Sequence, residues 1–409
     1  MTRKRRKVIF LWTYVDWGGA QIYLLPIMKE AMREYDVLVA LPRSSSPQII
    51  GFLEQIGVQL ELLDFHLDSK PALTVKRRIQ RRLNRIATEI RAFRWLNRFD
   101  LSECILHLEI SAWQSWQFLT LLSLRKANVF VSMHNALPNV PRWRVLLWKA
   151  RLHFVSRLPG FHIILSNQDT KNKLKGWVED VFWNKIKIVY TGIDPSQISA
   201  ASGAQLDKPR VLKDHGIPSS KCIVLCVAQF IDRKGRWIFL DAAKIIATNS
   251  PDFTFVWVTP EMPNDIEQAV IDSYNLGDRF QLILSDTIGT SRIEILKFFR
   301  IADIFVLASF VEGLPGALLE AMAMGLPCIS TKVNAIPEAI NNLETGIIIE
   351  PGEPAKLAHE INLLAENPEF RLSIAEAGKR FVLNNFDQNI ASRIAINEYH
   401  KCFRESSRK

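Results

Sequence analysis

The sequence predicts an α/β protein of two Rossmann-like parallel-sheet domains, and three observations carry that expectation. Strand-like apolar runs alternate with helical patterns over the first 190 residues. Residues 195–209 interrupt this with Ser, Ala, Gly and Pro, and a second alternation starts at Cys222. A chain of 409 residues, 48% of them apolar, can bury two such cores. In the first half, 8–12, 37–41, 59–62, 104–108, 129–133, 163–166 and 186–190 read as strands by length and composition. Helical spacing falls on 22–33, 49–55, a basic stretch at 76–98, 113–124 and a stretch from about Asp169. In the second half strands are expected at 222–228, 254–258, 281–284 and 304–308. Helices are expected at 237–248, 266–274, 293–300, 354–366, 369–384 and 388–403. Residues 195–209 read as the interdomain linker, which gives domains of 1–200 with 388–409, and 201–387.

The net charge is +10, from 52 Lys and Arg against 42 Asp and Glu. Nine of those cations lie between Lys76 and Arg98 beside a single acid, Glu89, while Val75, Ile79, Leu83, Ile86, Ile90 and Phe93 recur at spacings of three and four. This is one basic amphipathic helix. Two readings of it stay open. It binds an anionic membrane or acceptor, at roughly 1 kcal/mol per basic residue near acidic headgroups, or it is a surface helix whose stripe packs inward. Arg142-Trp143-Arg144, Trp148-Lys149, Arg151 and Arg157 mix aromatics with cations in a second cluster suited to an interface. The five cysteines, at 104, 222, 226, 328 and 402, have no metal-ligand spacing, so free thiols in a reducing cytoplasm are expected. The basic leader at 2–7 precedes an apolar run too short for a signal sequence, and no run of about eighteen apolar residues spans a bilayer.

Residues 304–338 carry the most specific signal. The run Ile304–Ala308 reads as a buried strand, Pro315-Gly316 suits the first turn of a helix, and Gly325 suits a left-handed end to it. Free N–H groups near Leu314, Gly316 and Ala317 would attract a diphosphate at the positive end of the helix dipole. Glu312, on the loop with Gly313, and Glu320, about one turn inside, can each accept hydrogen bonds from hydroxyls. A diphosphate flanked by two polyols describes a nucleotide sugar.

This segment resembles the retaining glycosyltransferases of family four, among the glycosyl transferases group 1, with two glutamates separated by seven residues and followed by Gly325-Leu326-Pro327. The resemblance covers nearly the whole chain. It implies the GT-B fold: two Rossmann-like domains facing a central cleft, a first, acceptor-binding domain, a second, nucleotide-sugar-binding domain, and a terminal helix crossing back to the first. It implies that Glu312 binds sugar hydroxyls, Glu320 the ribose, and Lys234, in the loop after the strand at 222–228, the diphosphate. Arg233 and a glycine loop at Gly18-Gly19 are further donor contacts, and His134, ending a strand, stands near the reacting carbon. Catalytic roles thus fall to Glu312, His134 and Lys234. Donor binding falls to Arg233, Gly313, Leu314, Pro315, Gly316, Ala317, Glu320, Gly18 and Gly19.

Several positions depart from that pattern: Gln229 replaces an arginine, Asn135 an aspartate, and Thr259 a residue of a Gly-rich turn. Glu109 likewise stands where a histidine usually follows the element that contains His107, and Thr191 replaces asparagine in a turn read as architecture between domains. With no Asp-X-Asp motif and no His/Cys cluster, no metal is expected, and the helix dipole with Lys234 would stabilise the leaving group.

The expectation is transfer of a sugar from a UDP- or GDP-linked donor, with no further cofactor, to a glycan or lipid-linked acceptor of the cell envelope. The enzyme would be cytoplasmic, peripheral on the inner face of the membrane through 76–98 and 142–157, with no nucleic-acid partner. The alternatives are a basic membrane- or nucleic-acid-binding protein with a decayed transferase site, and a GT-B epimerase or phosphorylase.

Overall fold

The computed structural model describes residues 5–12, 19–65, 74–134, 140–250, 252–289 and 291–406, which divide into two compact units, 1–190 with 389–409, and 191–388. Unit one is built on a sheet of β1 (Lys7–Leu11), β2 (Asp36–Pro42), β3 (Gln59–Leu63), β4 (Cys104–Leu108), β5 (Asn128–Met133), β6 (Phe161–Leu165) and β7 (Lys187–Ile188). All neighbours in it are parallel, in the order β3-β2-β1-β4-β5-β6-β7. Every residue of β4 and β5 is buried, which is why these strands read as continuous apolar runs. The last helix, Gln388–Ser406, belongs to this unit. Its Ala395, Ile396, Tyr399 and Phe403 join Phe10, Val39, Ile105 and Phe130 in one core.

Unit two has β8 (Cys222–Val227), β9 (Phe253–Thr259), β10 (Phe280–Leu284), β11 (Ile304–Leu307), β12 (Cys328–Thr331) and β13 (Ile347–Ile349), again parallel, in the order β10-β9-β8-β11-β12-β13. The entering and leaving chain segments meet at its edge, where Ile193 N donates to Phe386 O at 2.8 Å and Gln388 N to Ile193 O at 3.0 Å. A Cβ on Gly192 would stand 2.6 Å from Phe386 O and Gln388 N, so the turn at 190–194 needs its glycine there.

One sequence reading changes, and one that was left open narrows. Residues 195–209 are not an extended linker. Asp194 accepts from Ser196 N and Gln197 N to cap helix Pro195–Gly203, Asp207 caps helix Lys208–Asp214, and both lie in unit two. The Asp-Pro start was the helix signal, masked by the small residues behind it. The basic helix, Val75–Leu96, does not pack its stripe inward along its length. Thr88, Ala92 and Leu96 are buried, but Val75, Ile79, Leu83, Ile86 and Ile90 are between 41% and 69% exposed. Its last turns are anchored, with Trp95 Nε1 donating to Glu61 Oε2 at 2.7 Å, while the earlier turns present apolar and basic groups to solvent. On helix Arg142–Val155 of the same unit, Trp143, Leu146 and Leu147 are also exposed. No helix among the described residues is long and apolar enough to cross a membrane, and all five cysteines are buried and outside any disulfide.

Candidate functional site

In the second sheet the strand order turns between β8 and β11, where an open parallel sheet leaves a crevice for a ligand beyond its carboxyl ends. The loop after β8 carries Arg233 and Lys234, and the loop after β11 carries Glu312. Gly235 holds φ +72°, and a Cβ there would stand 1.9 Å from Ala308 O, so only glycine lets the first loop lie against the second. Phe310 N then donates to Arg233 O at 2.9 Å, and Lys234 Nζ comes within 2.5 Å of Glu312 Oε1. Ser309 Oγ donates to the same oxygen at 2.6 Å. Arg233 Nη1 lies 3.8 Å from Oε2 and donates to Val311 O at 3.0 Å. The Glu312 N–H donates to Asn334 Oδ1 at 3.1 Å. Glu312 is only 4% exposed, so cations and a hydroxyl, rather than water, balance its charge.

Buried Leu314 and Pro315 lead into helix Gly316–Ala323. Its start has no side-chain cap, and nothing lies within 4 Å of where a Gly316 Cβ would be. The first N–H groups, at Gly316 and Ala317, are therefore open to an anion. Gly325, at φ +85°, ends the helix in the left-handed region as its sequence position suggested. One turn in, Glu320 is held by a residue the sequence reading did not single out. Arg292 Nε donates to Oε1 at 2.7 Å and its Nη2 donates to Oε2, a fork on both oxygens. The available signal was a cation in the first turn of helix Arg292–Phe299, where it opposes the dipole and so asks for another partner.

Arg236 was also missed. It is buried, donates to Asp232 Oδ1 at 2.8 Å, Phe230 O at 2.9 Å and Glu267 Oε1 at 2.5 Å, and so fixes the loop that bears Arg233 and Lys234. Thr259 is buried and structural. Its Oγ1 accepts from Phe230 N at 3.2 Å and donates to Glu261 O at 3.0 Å. Gln229 is exposed and brings no charge.

In the first sheet the order turns between β1 and β4. His134, just past β5, places Nε2 2.6 Å from Oε1 of Glu109, just past β4. Tyr23 packs edge-on against the imidazole, with centroids 4.6 Å apart, and Asn167 Nδ2 donates to His134 O at 2.9 Å. Burial, reinforced by the Glu109 charge, raises the Tyr23 phenol well above its usual range. His107 is walled in. Its Nε2 lies 2.6 Å from Ser132 Oγ, its Nδ1 pairs with Tyr399 OH, and burial pushes the imidazole down to about 3. That histidine ties two strands to the last helix. Gly18 and Asn135 lie outside the described residues, and Gly19 opens helix Gly19–Ala31. Among the described residues no group of three or more His, Cys, Asp or Glu could hold a metal ion.

Residues 207–381 match the family described as glycosyl transferases group 1. The chain is 30% identical over 208 residues to the UDP-Gal:alpha-D-GlcNAc-diphosphoundecaprenol alpha-1,3-galactosyltransferase of Escherichia coli, covering 50% of this chain and 51% of that protein. It is 28% identical over 181 residues to the N,N'-diacetylbacillosaminyl-diphospho-undecaprenol alpha-1,3-N-acetylgalactosaminyltransferase of Campylobacter jejuni, covering 44% and 45%. The chain thus spans about half the length of the curated relatives it matches. Among solved structures, a glycosyltransferase from Rickettsia africae aligns with a TM-score of 0.75 at 18% identity, covering 98% of this chain and 99% of that one. Anabaena HepE aligns with a TM-score of 0.74 at 17% identity, covering 97% and 100%. At such identities the likeness is one of fold.

Proposed function

From a chain with the GT-B fold, whose residues 207–381 match the glycosyl transferases group 1, we propose a retaining enzyme that moves a sugar from a nucleoside diphosphate sugar to a glycan or lipid-linked acceptor. The observation that carries this reading is the uncapped start of helix Gly316–Ala323, set between Glu312 and Glu320 with Lys234 and Arg233 alongside. A diphosphate at that start takes the N–H groups of Gly316 and Ala317. Lys234 exchanges its Glu312 partner for phosphate oxygens, which frees Glu312 to accept from sugar hydroxyls. Glu320, its plane fixed by Arg292, keeps lone pairs for a ribose diol. As the anomeric C–O bond breaks, negative charge grows on the diphosphate, where the helix dipole and Lys234 already point. This arrangement does the work of a metal, and activity should survive chelation.

Glu312 Oε1 still accepts from Ser309 once Lys234 has turned to the phosphates, and with sugar hydroxyls on the same carboxylate this lowers its nucleophilicity and favours front-face attack over a covalent glycosyl intermediate. His134 contributes from the first unit, which we assign to the acceptor. The Escherichia coli relative's name favours a UDP-linked donor, and both relatives' names favour an undecaprenyl-diphosphate-linked acceptor, which suits envelope saccharide synthesis. The exposed apolar stripe of Val75–Leu96 with its cations, joined by Trp143 and Leu146, suits an anionic membrane face where such an acceptor resides.

Calorimetric titration with UDP, GDP, ADP and their sugars tests the donor site without an acceptor. Binding of one nucleotide series, weakened about tenfold or more by Glu320→Ala, supports the reading, and absence of binding to all of them sinks it. Product analysis separates transfer from the neighbouring chemistries, since an epimerised donor or phosphate-dependent cleavage contradicts it. Vesicles with anionic lipid should retain the chain at low salt and release it as salt rises, and replacing Ile79 and Leu83 by Ser should abolish that retention.

A further inference from the structure

The Glu109–His134 pair is not explained by donor binding in unit two, and Glu109 is one of the positions at which this chain departs from its resemblance. Among the described residues the pair sits under Tyr23 at the turn of the first sheet. We propose that Glu109 is a positioning residue for His134, fixing the imidazole so that Nδ1 accepts a hydrogen bond from a saccharide hydroxyl at the carboxyl end of that sheet. The proposal rests on the transferase reading.

An ionised carboxylate only accepts hydrogen bonds, so the 2.6 Å contact places a hydrogen on Nε2 and, in the neutral ring, leaves the lone pair on Nδ1. No hydrogen bond engages Nδ1 among the described residues. Accessibility divides the two roles: the Glu109 side chain is 1% exposed and beyond reach of a substrate, while that of His134 is 18% exposed. Tyr23 edge-on to the ring, and Asn167 on the His134 carbonyl, remove the remaining freedom of the ring and its backbone. The Tyr23 hydroxyl is itself buried and makes no hydrogen bond among the described residues, so the tyrosine meets the ring by packing alone. A buried carboxylate that sets a histidine tautomer is the device of hydrolytic triads, here serving a hydroxyl that is bound rather than a nucleophile that is made.

The test uses the full chain and three variants, Glu109→Gln, Glu109→Ala and His134→Ala. Long-range ¹H–¹⁵N spectra of the donor-free protein should show His134 as the Nε2–H tautomer in the wild type and in Glu109→Gln, whose amide oxygen can still accept. In Glu109→Ala that tautomer should give way to a mixture. In kinetics Glu109→Ala should lose about 10²-fold in kcat with little change in donor KM, Glu109→Gln should recover at least tenfold of that loss, and adding Glu109→Ala to His134→Ala should cost nothing more. Donor hydrolysis locates the hydroxyl. If it falls in parallel with transfer, His134 holds the donor sugar, and if only transfer falls, it holds the acceptor.

An Nδ1–H tautomer in the wild type overturns the proposal, as does a Glu109→Ala variant with native kcat. Should Glu109→Ala fail to fold, the wild-type and Glu109→Gln spectra still decide. The spectra need no substrate, so a chain that transfers no sugar but shows the expected tautomers refutes the transferase reading and leaves the pairing intact.

Discussion

At the turn of strand order in the second sheet, a carboxylate meets a lysine, an arginine and an open helix start. At the same topological place in the first sheet, a carboxylate meets a histidine beneath a tyrosine. Both carboxylates are buried, Glu312 and Glu109, yet their partners give them opposite uses. A lysine is a point charge that can leave one anion for another, so the first arrangement is fitted to receive a diphosphate. A neutral imidazole carries one donor and one acceptor. With its donor spent on Glu109, the second arrangement is fitted to a neutral hydroxyl. Under the proposed function, equivalent crevices would divide the substrate by charge.

The comparison breaks most readily at Lys234–Glu312. Glu312→Gln should cut kcat by about 10²–10³ and leave a nearly buried ammonium unpaired, at about 3–5 kcal/mol of stability. Replacing both residues, Lys234→Met with Glu312→Gln, should recover most of the stability and none of the activity. Urea titration of the single and double variants checks this, and a double variant no more stable than Glu312→Gln alone would show that the pair is not a buried charge couple. Gly235→Ala tests the approach of the two loops. Its Cβ would meet Ala308 O, and it must hold a positive φ, so we expect roughly 2–3 kcal/mol lost along with the donor site.

The two crevices also differed in how legible they were. Glu312, Glu320 and the helix between them lie within one stretch of sequence, and local spacing fixed their relation. Gly325 and the continuous apolar strands were readable for the same reason. Arg292, Arg236 and Glu109 reach their partners from other elements, Arg292 from 28 residues before Glu320 and Glu109 from 25 before His134. A pairing across strands leaves no periodicity, so each looked like a surface charge or a departure from pattern. The stripe of Val75–Leu96 left two readings open for the opposite reason, because spacing reports amphipathicity and says nothing of whether protein or something else covers the apolar face.

His107 sharpens the contrast from the side of stability. Its imidazole is held neutral in the fold, down to about 3 from an ordinary 6.5, with burial as the main cause. Because the unfolded chain binds the proton more readily, this contribution is fully present above about pH 6.5 and is lost as the pH falls toward 3. Each pKa unit is worth on the order of 1.4 kcal/mol. Replacing His107 by Gln should flatten the pH dependence of the unfolding midpoint across that window while leaving donor binding by the second unit untouched. An unchanged slope would mean that other groups carry the acid sensitivity.

The smallest effect expected is at Arg292, and it separates holding a carboxylate from merely neutralising it. A guanidinium fork fixes both the plane of Glu320 and its charge, whereas an ammonium supplies only the charge. Arg292→Lys should therefore raise the donor KM by a few fold and Arg292→Met by about tenfold, with kcat nearly unchanged, since ribose contacts form equally in the ground and transition states. The discriminating measurement is the same pair of variants with donors lacking the ribose 2′- or 3′-hydroxyl. If Arg292 acts by orienting Glu320 toward the diol, its replacement costs much less once the hydroxyl is gone. If the penalty is the same for every donor, Arg292 acts elsewhere, on the phosphates or on the fold, and the plane of Glu320 is not what selects the nucleotide.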